Sequence, residues 1–313
     1  MKVEKLNIYN DKIDSGVDNE YPTSKYAFRQ PFLAMFVGQR TSGKSHLASQ
    51  FLAQAQREKT FNRVYMVTPS FNSNKAYFGK YVNEEDVYDP TKDSIQNVIS
   101  SVEADRDEWE DYLSKKELYK MYKKDARKAI KNIDEDNLIS YYSNGFFDNQ
   151  IPEWKYEKEE PPKSLLILDD CLGSPAILQS SGLTRITCLN RHVADLKENY
   201  KGRSACGLAV IILSQSYRFN NGISRVLREN LSLLTLFKNK QQKQMDAIKE
   251  ELANVVDEKL FSKAYEYATR EKYGNLTIDF RPRCDTYTFR CNLNELIKFD
   301  EIPCKCKIGR AHV

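Results

Sequence analysis

The run Gly38-Gln39-Arg40-Thr41-Ser42-Gly43-Lys44-Ser45 fits the spacing G-x-x-x-x-G-K-[ST] at every fixed position. Each fixed type has a job in binding a triphosphate. Gly38 and Gly43 permit a tight turn and close backbone approach, Lys44 can reach the β- and γ-phosphates, and the Ser45 hydroxyl can ligate Mg²⁺. The N–H groups of Gln39, Arg40, Thr41 and Ser42, with that of His46 just inside the next element, complete the expected cradle. Residues 32–37 are apolar and of strand length, and residues 46–56 read as a helix. Strand, glycine loop and helix in this order place an anion at a helix N-terminus, where unpaired N–H groups and the helix dipole favour negative charge.

Phosphate chemistry with Mg²⁺ needs a second element, a carboxylate at the end of a buried strand. Ser164-Leu-Leu-Ile-Leu-Asp169-Asp170 supplies two. Asp169 is assigned to the metal, and Asp170 is then placed to act as general base on an attacking water. A further apolar strand ends in Ser214-Gln215-Ser216, where the long amide of Gln215 can contact the γ-phosphate or orient the water. These groups predict ATP and Mg²⁺ as ligands, with Lys44, Asp170 and Gln215 as catalytic residues.

The order of the phosphate loop, Leu-Leu-Ile-Leu-Asp-Asp, Asn190-Arg191-His192 and Ile-Ile-Leu-Ser-Gln-Ser resembles the viral genome-packaging ATPases of the FtsK–HerA superfamily. The likeness is to the poxvirus type found in large DNA viruses, virophages and Maverick/Polinton-like elements, and it covers roughly residues 30–240. It implies a RecA-like sheet, a homo-oligomeric ring, and ATP-driven movement of double-stranded DNA into a capsid, with a capsid or portal protein as a further partner. It also implies an arginine supplied by a neighbouring subunit. Arg185, Arg191, Arg225 and Arg228 are the candidates, and Arg191 is preferred because it lies in the element similar to the family's Arg-His motif. FtsK-like motors generally carry glutamate where this chain has Asp170; viral members are similar in carrying Asp-Asp. Lys201 and Arg203, in the basic stretch Lys197-Glu-Asn-Tyr-Lys-Gly-Arg203, are candidate DNA contacts that would track phosphates without reading sequence. The rival readings are a cellular or plasmid DNA pump or helicase with the same engine, and a P-loop kinase or nucleotide switch.

The elements that must position these groups read as α/β. Further strands are expected at 63–69, 207–216, 231–237, 276–280 and 287–291, and helices at 183–198, 223–228, 240–254 and 257–269. Strands alternating with helices predict a mostly parallel central sheet, and continuous apolar strands predict one covered on both faces. The expected organisation is an N-terminal arm (1–28), a P-loop ATPase core (29–240) with a charged helical insertion at about 84–162, and a small C-terminal α/β extension (241–307). Residues 93–138 are charged, helix-favouring and free of Gly and Pro, which reads as a solvated helical excursion.

The chain has 313 residues and a net charge of +4. Between Glu84 and Glu160 there are 21 acidic and 12 basic residues, a net of −9, so the rest of the chain stands at +13. A basic nucleotide domain with an acidic insertion suits a polyanionic partner. The apolar runs are too short to span a bilayer, no signal peptide is evident, and seven scattered cysteines favour a reducing compartment. The expectation is therefore an intracellular, non-secreted protein of host cytoplasm or nucleus, or one associated with the virion, with no membrane partner. Cys284, Cys291, Cys304 and Cys306 lack the paired spacing of a zinc site and read as free thiols. Residues 308–313, Ile-Gly-Arg-Ala-His-Val, match the translation of a common sequencing adaptor and are expected to be foreign to the protein.

Overall fold

The computed structural model describes residues 27–127, 133–218, 224–239, 241–253 and 255–300. Nine strands form one sheet in the order β11-β10-β9-β8-β1-β7-β4-β2-β3. Its parallel part comprises β1 (Leu33–Val37), β2 (Arg63–Val67), β3 (Val87–Tyr88), β4 (Ser164–Asp169), β7 (Leu208–Ser214) and β8 (Leu233–Phe237). Antiparallel pairing then extends it through β9 (Asn275–Asp279), β10 (Phe289–Cys291) and β11 (Glu295–Ile297). The expected mostly parallel sheet with a smaller C-terminal extension is what the chain forms.

The central strands are apolar along their whole length because both faces are covered. All residues of β1, β4, β7 and β8 are buried. One face packs against α1 (Lys44–Arg57) and α2 (Phe71–Phe78), through Leu47, Ala48, Leu52 and Phe78. The other packs against α3 (Ser94–Asp125), α6 (Ser181–Leu189), α8 (Gln242–Leu252) and α9 (Glu258–Ala268). Two short helices, α5 (Pro175–Leu178) and α7 (Arg225–Glu229), complete the connections.

The acidic excursion differs from a solvated helix. The first part of α3 lies on the sheet, burying Ile95, Val98, Ile99 and Val102. Its middle is anchored by Asp105, which accepts from Tyr65 Oη at 3.3 Å and Lys155 Nζ at 2.7 Å and lies 3.6 Å from Arg63 Nη1. Trp109 then packs edge-on against Trp154 and Tyr200, at 4.9 and 5.8 Å between ring centres. Beyond these, Tyr122 packs on Tyr141 of α4 (Glu135–Ser143) and on Phe146. Asp134 caps α4 by accepting from Asn137 N. The outer half of the insertion is therefore organised by rings that the charge count conceals.

A second correction concerns 183–198. Helix α6 stops at Leu189, a 3₁₀ turn follows at Asn190–His192, and β5 (Asp195–Tyr200) pairs with β6 (Arg203–Ala205) as an antiparallel hairpin. The hairpin is tied to α3: Arg106 Nη1 donates to Asp195 O at 2.6 Å, and Lys197 N donates to Glu110 Oε1 at 2.8 Å. Tertiary packing overrides the helix-favouring composition of this segment. Residues 1–26 of the expected arm and the adaptor-like 308–313 lie outside the described residues.

Candidate functional site

The phosphate loop leaves β1 at the sheet's C-terminal edge, where Gly38 N donates to Ser214 O at 3.1 Å. Gly38 can be nothing larger: a Cβ there would come within 2.4 Å of Ser42 Oγ and 2.9 Å of Phe237 Cβ. Gly43 precedes α1 with φ of 104°, a left-handed conformation that glycine adopts without strain. No side chain caps α1, so its first N–H groups point from the helix end without intrahelical partners. Ser42 Oγ is buried with no hydrogen-bond partner among the described residues. An uncapped helix end, an orphaned hydroxyl and a turn that only glycine fits suit a bound phosphate. His46 sits one position inside the helix, exposed and edge-on to Tyr77.

Lys44 folds back on the loop, its Nζ donating to Gly38 O at 2.8 Å and Gln39 O at 3.3 Å. Burial pushes its pKa below the usual lysine range, while Asp170 and Asp169 pull the other way. The ammonium is thus held in a partly desolvated place facing two carboxylates.

Those carboxylates arrive from β4, two strands from β1, with β7 between them. Asp169 ends β4 at 4% exposure, and its Oδ2 accepts from Asn74 Nδ2 at 2.7 Å and Thr68 Oγ1 at 3.3 Å. Burial, and then the neighbouring charge of Asp170, push its pKa up to about 6. A buried carboxylate beside a second one gains from a hard cation, and an aspartate with a serine hydroxyl is the all-oxygen donor set that Mg²⁺ takes. The residues present therefore fit Mg²⁺, with Ser45 and Asp169 as the groups that would hold it.

Asp170 turns out of the strand at φ 50° and is exposed. Its N–H donates to Leu213 O at 3.3 Å, and its Oδ2 accepts from Gln215 Nε2 at 3.1 Å. The base and amide named from sequence thus touch, one residue beyond the paired ends of β4 and β7. A left-handed aspartate is a strained backbone position, and strain of this kind gathers at functional sites.

The arginines divide by location. Arg185 is paired with Glu103, Arg225 with Glu229, and Arg228 with Glu251. Arg191 is exposed and has no carboxylate partner among the described residues. Its 3₁₀ turn lies against the start of β7, where Asn190 Nδ2 donates to Leu208 O at 3.2 Å. The phosphate loop meets the other end of β7, some 20 Å away at roughly 3.3 Å per residue. Arg191 therefore sits toward the end of β7 opposite the phosphate loop of its own chain.

One candidate fails. Arg203 is 1% exposed, and its Nη2 donates to Cys206 O at 2.8 Å, so its charge is spent inside the hairpin base and cannot track DNA. Lys201 remains exposed at the hairpin turn with φ of 50°. The expectation of free thiols also fails at Cys284, which is disulfide-bonded; Cys291 is free and buried. Sequence spacing carries no information on which Cβ atoms approach each other. Cys304 and Cys306 lie outside the described residues, and among those described no group of three or more His, Cys, Asp or Glu is placed to hold a metal. No helix of the described residues is long and apolar enough to cross a membrane.

No protein-family model matches the chain, and no curated protein matches it. Among solved structures, it is similar to the genome packaging NTPase B204 from Sulfolobus turreted icosahedral virus 2 in complex with AMPPCP. The TM-score is 0.44 at 12% identity, covering 83% of this chain and 96% of that one. It is also similar to the pCW3 conjugation coupling protein TcpA with ATPgS, at TM-score 0.37 and 15% identity over 69% of this chain and 51% of that one. A third is EssC (ATPases 2 and 3) from Geobacillus thermodenitrificans, at 0.36 and 14% over 68% and 34%.

Sequence reasoning missed Thr68 and Asn74, the two side chains that hold Asp169. Thr68 was findable as the first polar residue after β2; Asn74 sits on α2, whose polar sequence FNSNKAYF carries little periodic signal. A cavity of about 950 Å³ lies away from all of these groups, between the second half of α1 and the β10–β11 hairpin. The phosphate loop instead opens at the sheet edge.

Proposed function

We propose that this chain is an ATP-hydrolysing DNA translocase that packages a viral or virus-like genome, acting as a homo-oligomeric ring. The observation carrying the reading is the hydrogen bond from Gln215 to Asp170 beside an open phosphate loop. This contact brings together the amide and the carboxylate that the reading needs to orient the attacking water and to take its proton. The order of the four motifs, including Asn190–His192, supports the translocase and packaging parts.

Hydrolysis follows from these placements. The loop N–H groups and Lys44 bind the phosphates. Ser45 and Asp169 would hold Mg²⁺, which would supply neutralisation of phosphate charge. Gln215 orients a water, whose oxygen adds to the γ-phosphorus while the bond to the β-phosphate oxygen breaks. The proton lost by the water passes to an Asp170 carboxylate oxygen. Replacing Gln215 with alanine is expected to lower kcat about 10²-fold with little change in KM for ATP. Asp170→Asn is expected to lose about 10²- to 10⁴-fold, because the acceptor itself is gone. Steady-state phosphate release measures both, and near-normal kcat in either variant would remove that residue from the mechanism.

Arg191 is assigned the role of acting on another subunit's γ-phosphate, and its 3₁₀ turn at the end of β7 opposite the phosphate loop supports that reading. Arg191→Ala should bind nucleotide but not turn it over. Mixing it with a Lys44→Ala chain, which lacks a working loop but keeps its arginine, should restore part of the activity. Absence of restoration, with mixed rings verified, counts against a role in trans. The translocase reading is tested by ATPase activity with and without duplex DNA: stimulation that falls steeply with salt is expected. A salt-independent rate indifferent to DNA would leave only a nucleotide hydrolase.

A further inference from the structure

We propose that Tyr273 is the platform on which the base of the bound nucleotide stacks; this rests on reading residues 38–45 as the phosphate site. The direction of the triphosphate is set by the residues already placed. Asp169, Asp170 and Gln215 mark its γ end on the β7–β4 side of β1. The nucleoside must then leave on the other side of β1, toward β8 and β9. The chain presents two aromatic rings there, both against Gly43. A Cβ on Gly43 would stand 3.5 Å from Phe237 Cε1 and 3.5 Å from Tyr273 Cβ and Cδ1. Phe237 is 2% exposed and serves as the floor, whereas Tyr273 is 55% exposed.

The way Tyr273 is held argues for a task other than packing. Its φ is 67°, a conformation that bulky residues rarely adopt. The chain around it enforces this conformation. At Gly274, a Cβ would come within 2.3 Å of Ala268 O, so the backbone passes directly against the end of α9. Asn275, 2% exposed, donates from Nδ2 to Asn292 Oδ1 at 3.0 Å and to Tyr273 O at 3.4 Å. Strained positions of this kind persist where the surroundings over-determine them, and they cluster at ligand sites. The result is a ring that buries little of itself yet is fixed beside the loop. Lys272 Nζ lies 4.9 Å from the ring centre.

An exposed, pre-positioned phenol offers a flat π face, which stacks on any nucleobase and discriminates poorly among them. The ligand class is thus a nucleoside triphosphate recognised through phosphates and ring face, with weak choice between bases.

The test compares AMPPNP with inorganic tripolyphosphate, each with Mg²⁺, by calorimetry on the full chain. Tyr273→Asn is the chosen variant because asparagine tolerates the left-handed backbone while removing the ring. It should weaken AMPPNP binding at least about tenfold and leave tripolyphosphate within twofold. Tyr273→Phe and Tyr273→Trp should keep AMPPNP affinity. Equal loss on both ligands would show that Tyr273 merely supports the loop, and no loss on either would also overturn the proposal. Should the unaltered chain bind neither ligand, the phosphate-site reading falls and this one with it. Wild-type binding of both without a selective loss sinks Tyr273 alone.

Discussion

Replacing Lys44 with alanine is expected to lower ATP turnover by about 10²- to 10³-fold while leaving the fold intact. Among the described residues the buried ammonium donates to two loop carbonyls, Gly38 O and Gln39 O. Burial opposes its charge, while Asp170 and Asp169 favour it, with burial the larger influence. On the proposed function, removing the ammonium strips a positive charge from where phosphate charge would develop, and it relieves the unliganded chain of a desolvated cation. The melting temperature should therefore stay level or rise slightly. Lys44→Arg should not rescue turnover, because a planar guanidinium cannot fold back into a place shaped for a point charge. Phosphate release and a thermal melt on the same preparation check the pair of outcomes. Wild-type turnover in the alanine variant would take Lys44, and the loop with it, out of the chemistry.

How much of this could be read in advance depends on what each part rests upon. The strand-to-helix turn at 38–45 was legible because its residue types stand at fixed intervals, and the positive φ of Gly43 is the physical cause of one of them. The strands β4 and β7 were legible because burial on both faces requires an unbroken apolar run, so their polar ends, Asp169 and Gln215, stood out. The contact between Asp170 and Gln215 was not visible in composition. It depends on β4 and β7 being adjacent and in register, Asp169 opposite Leu213, which is a property of the sheet. The hairpin β5–β6 was read as helix and loop for a related reason. The residues of β5 are mostly exposed and polar, with no periodicity to announce a strand, and contacts from α3 decide its shape. Arg203 is the sharpest failure: a charge in a basic stretch reads as surface, yet this one is spent on the carbonyl of Cys206. The end of α3 was hidden too, since neither glycine nor proline marks it. The chain turns back because Tyr122, Tyr141 and Phe146 bury one another, a long-range cause with no local signature.

Asp169→Asn is expected to push stability and activity in opposite directions. Asp169 is 4% exposed and lies beside a second carboxylate, and its pKa stands at about 6 against 3.8 for an ordinary aspartate. The folded chain therefore prefers the protonated form. The associated stability is fully present below about pH 4 and is lost as pH rises through about 6. At pH 8 the ionised group costs the metal-free fold on the order of 3 kcal/mol, from a shift of about two pKa units. Asparagine carries no charge and can still accept from Asn74 through its carbonyl oxygen. The variant, free of nucleotide and magnesium, should melt about 5 °C higher than the wild type at pH 8 and at nearly the same temperature at pH 4. Turnover should fall at least about 10²-fold, because the oxygen whose ionisation weakens the fold is the one that would hold Mg²⁺. By the same linkage, protons compete with the ion, so at sub-saturating magnesium the wild type should lose activity as pH drops through about 6, and at a lower pH as magnesium is raised. Melts at the two pH values, with a magnesium titration of activity, separate the alternatives. A variant destabilised at pH 8 would show that the carboxylate is there for the fold, and one that keeps its turnover would show that the metal is held elsewhere.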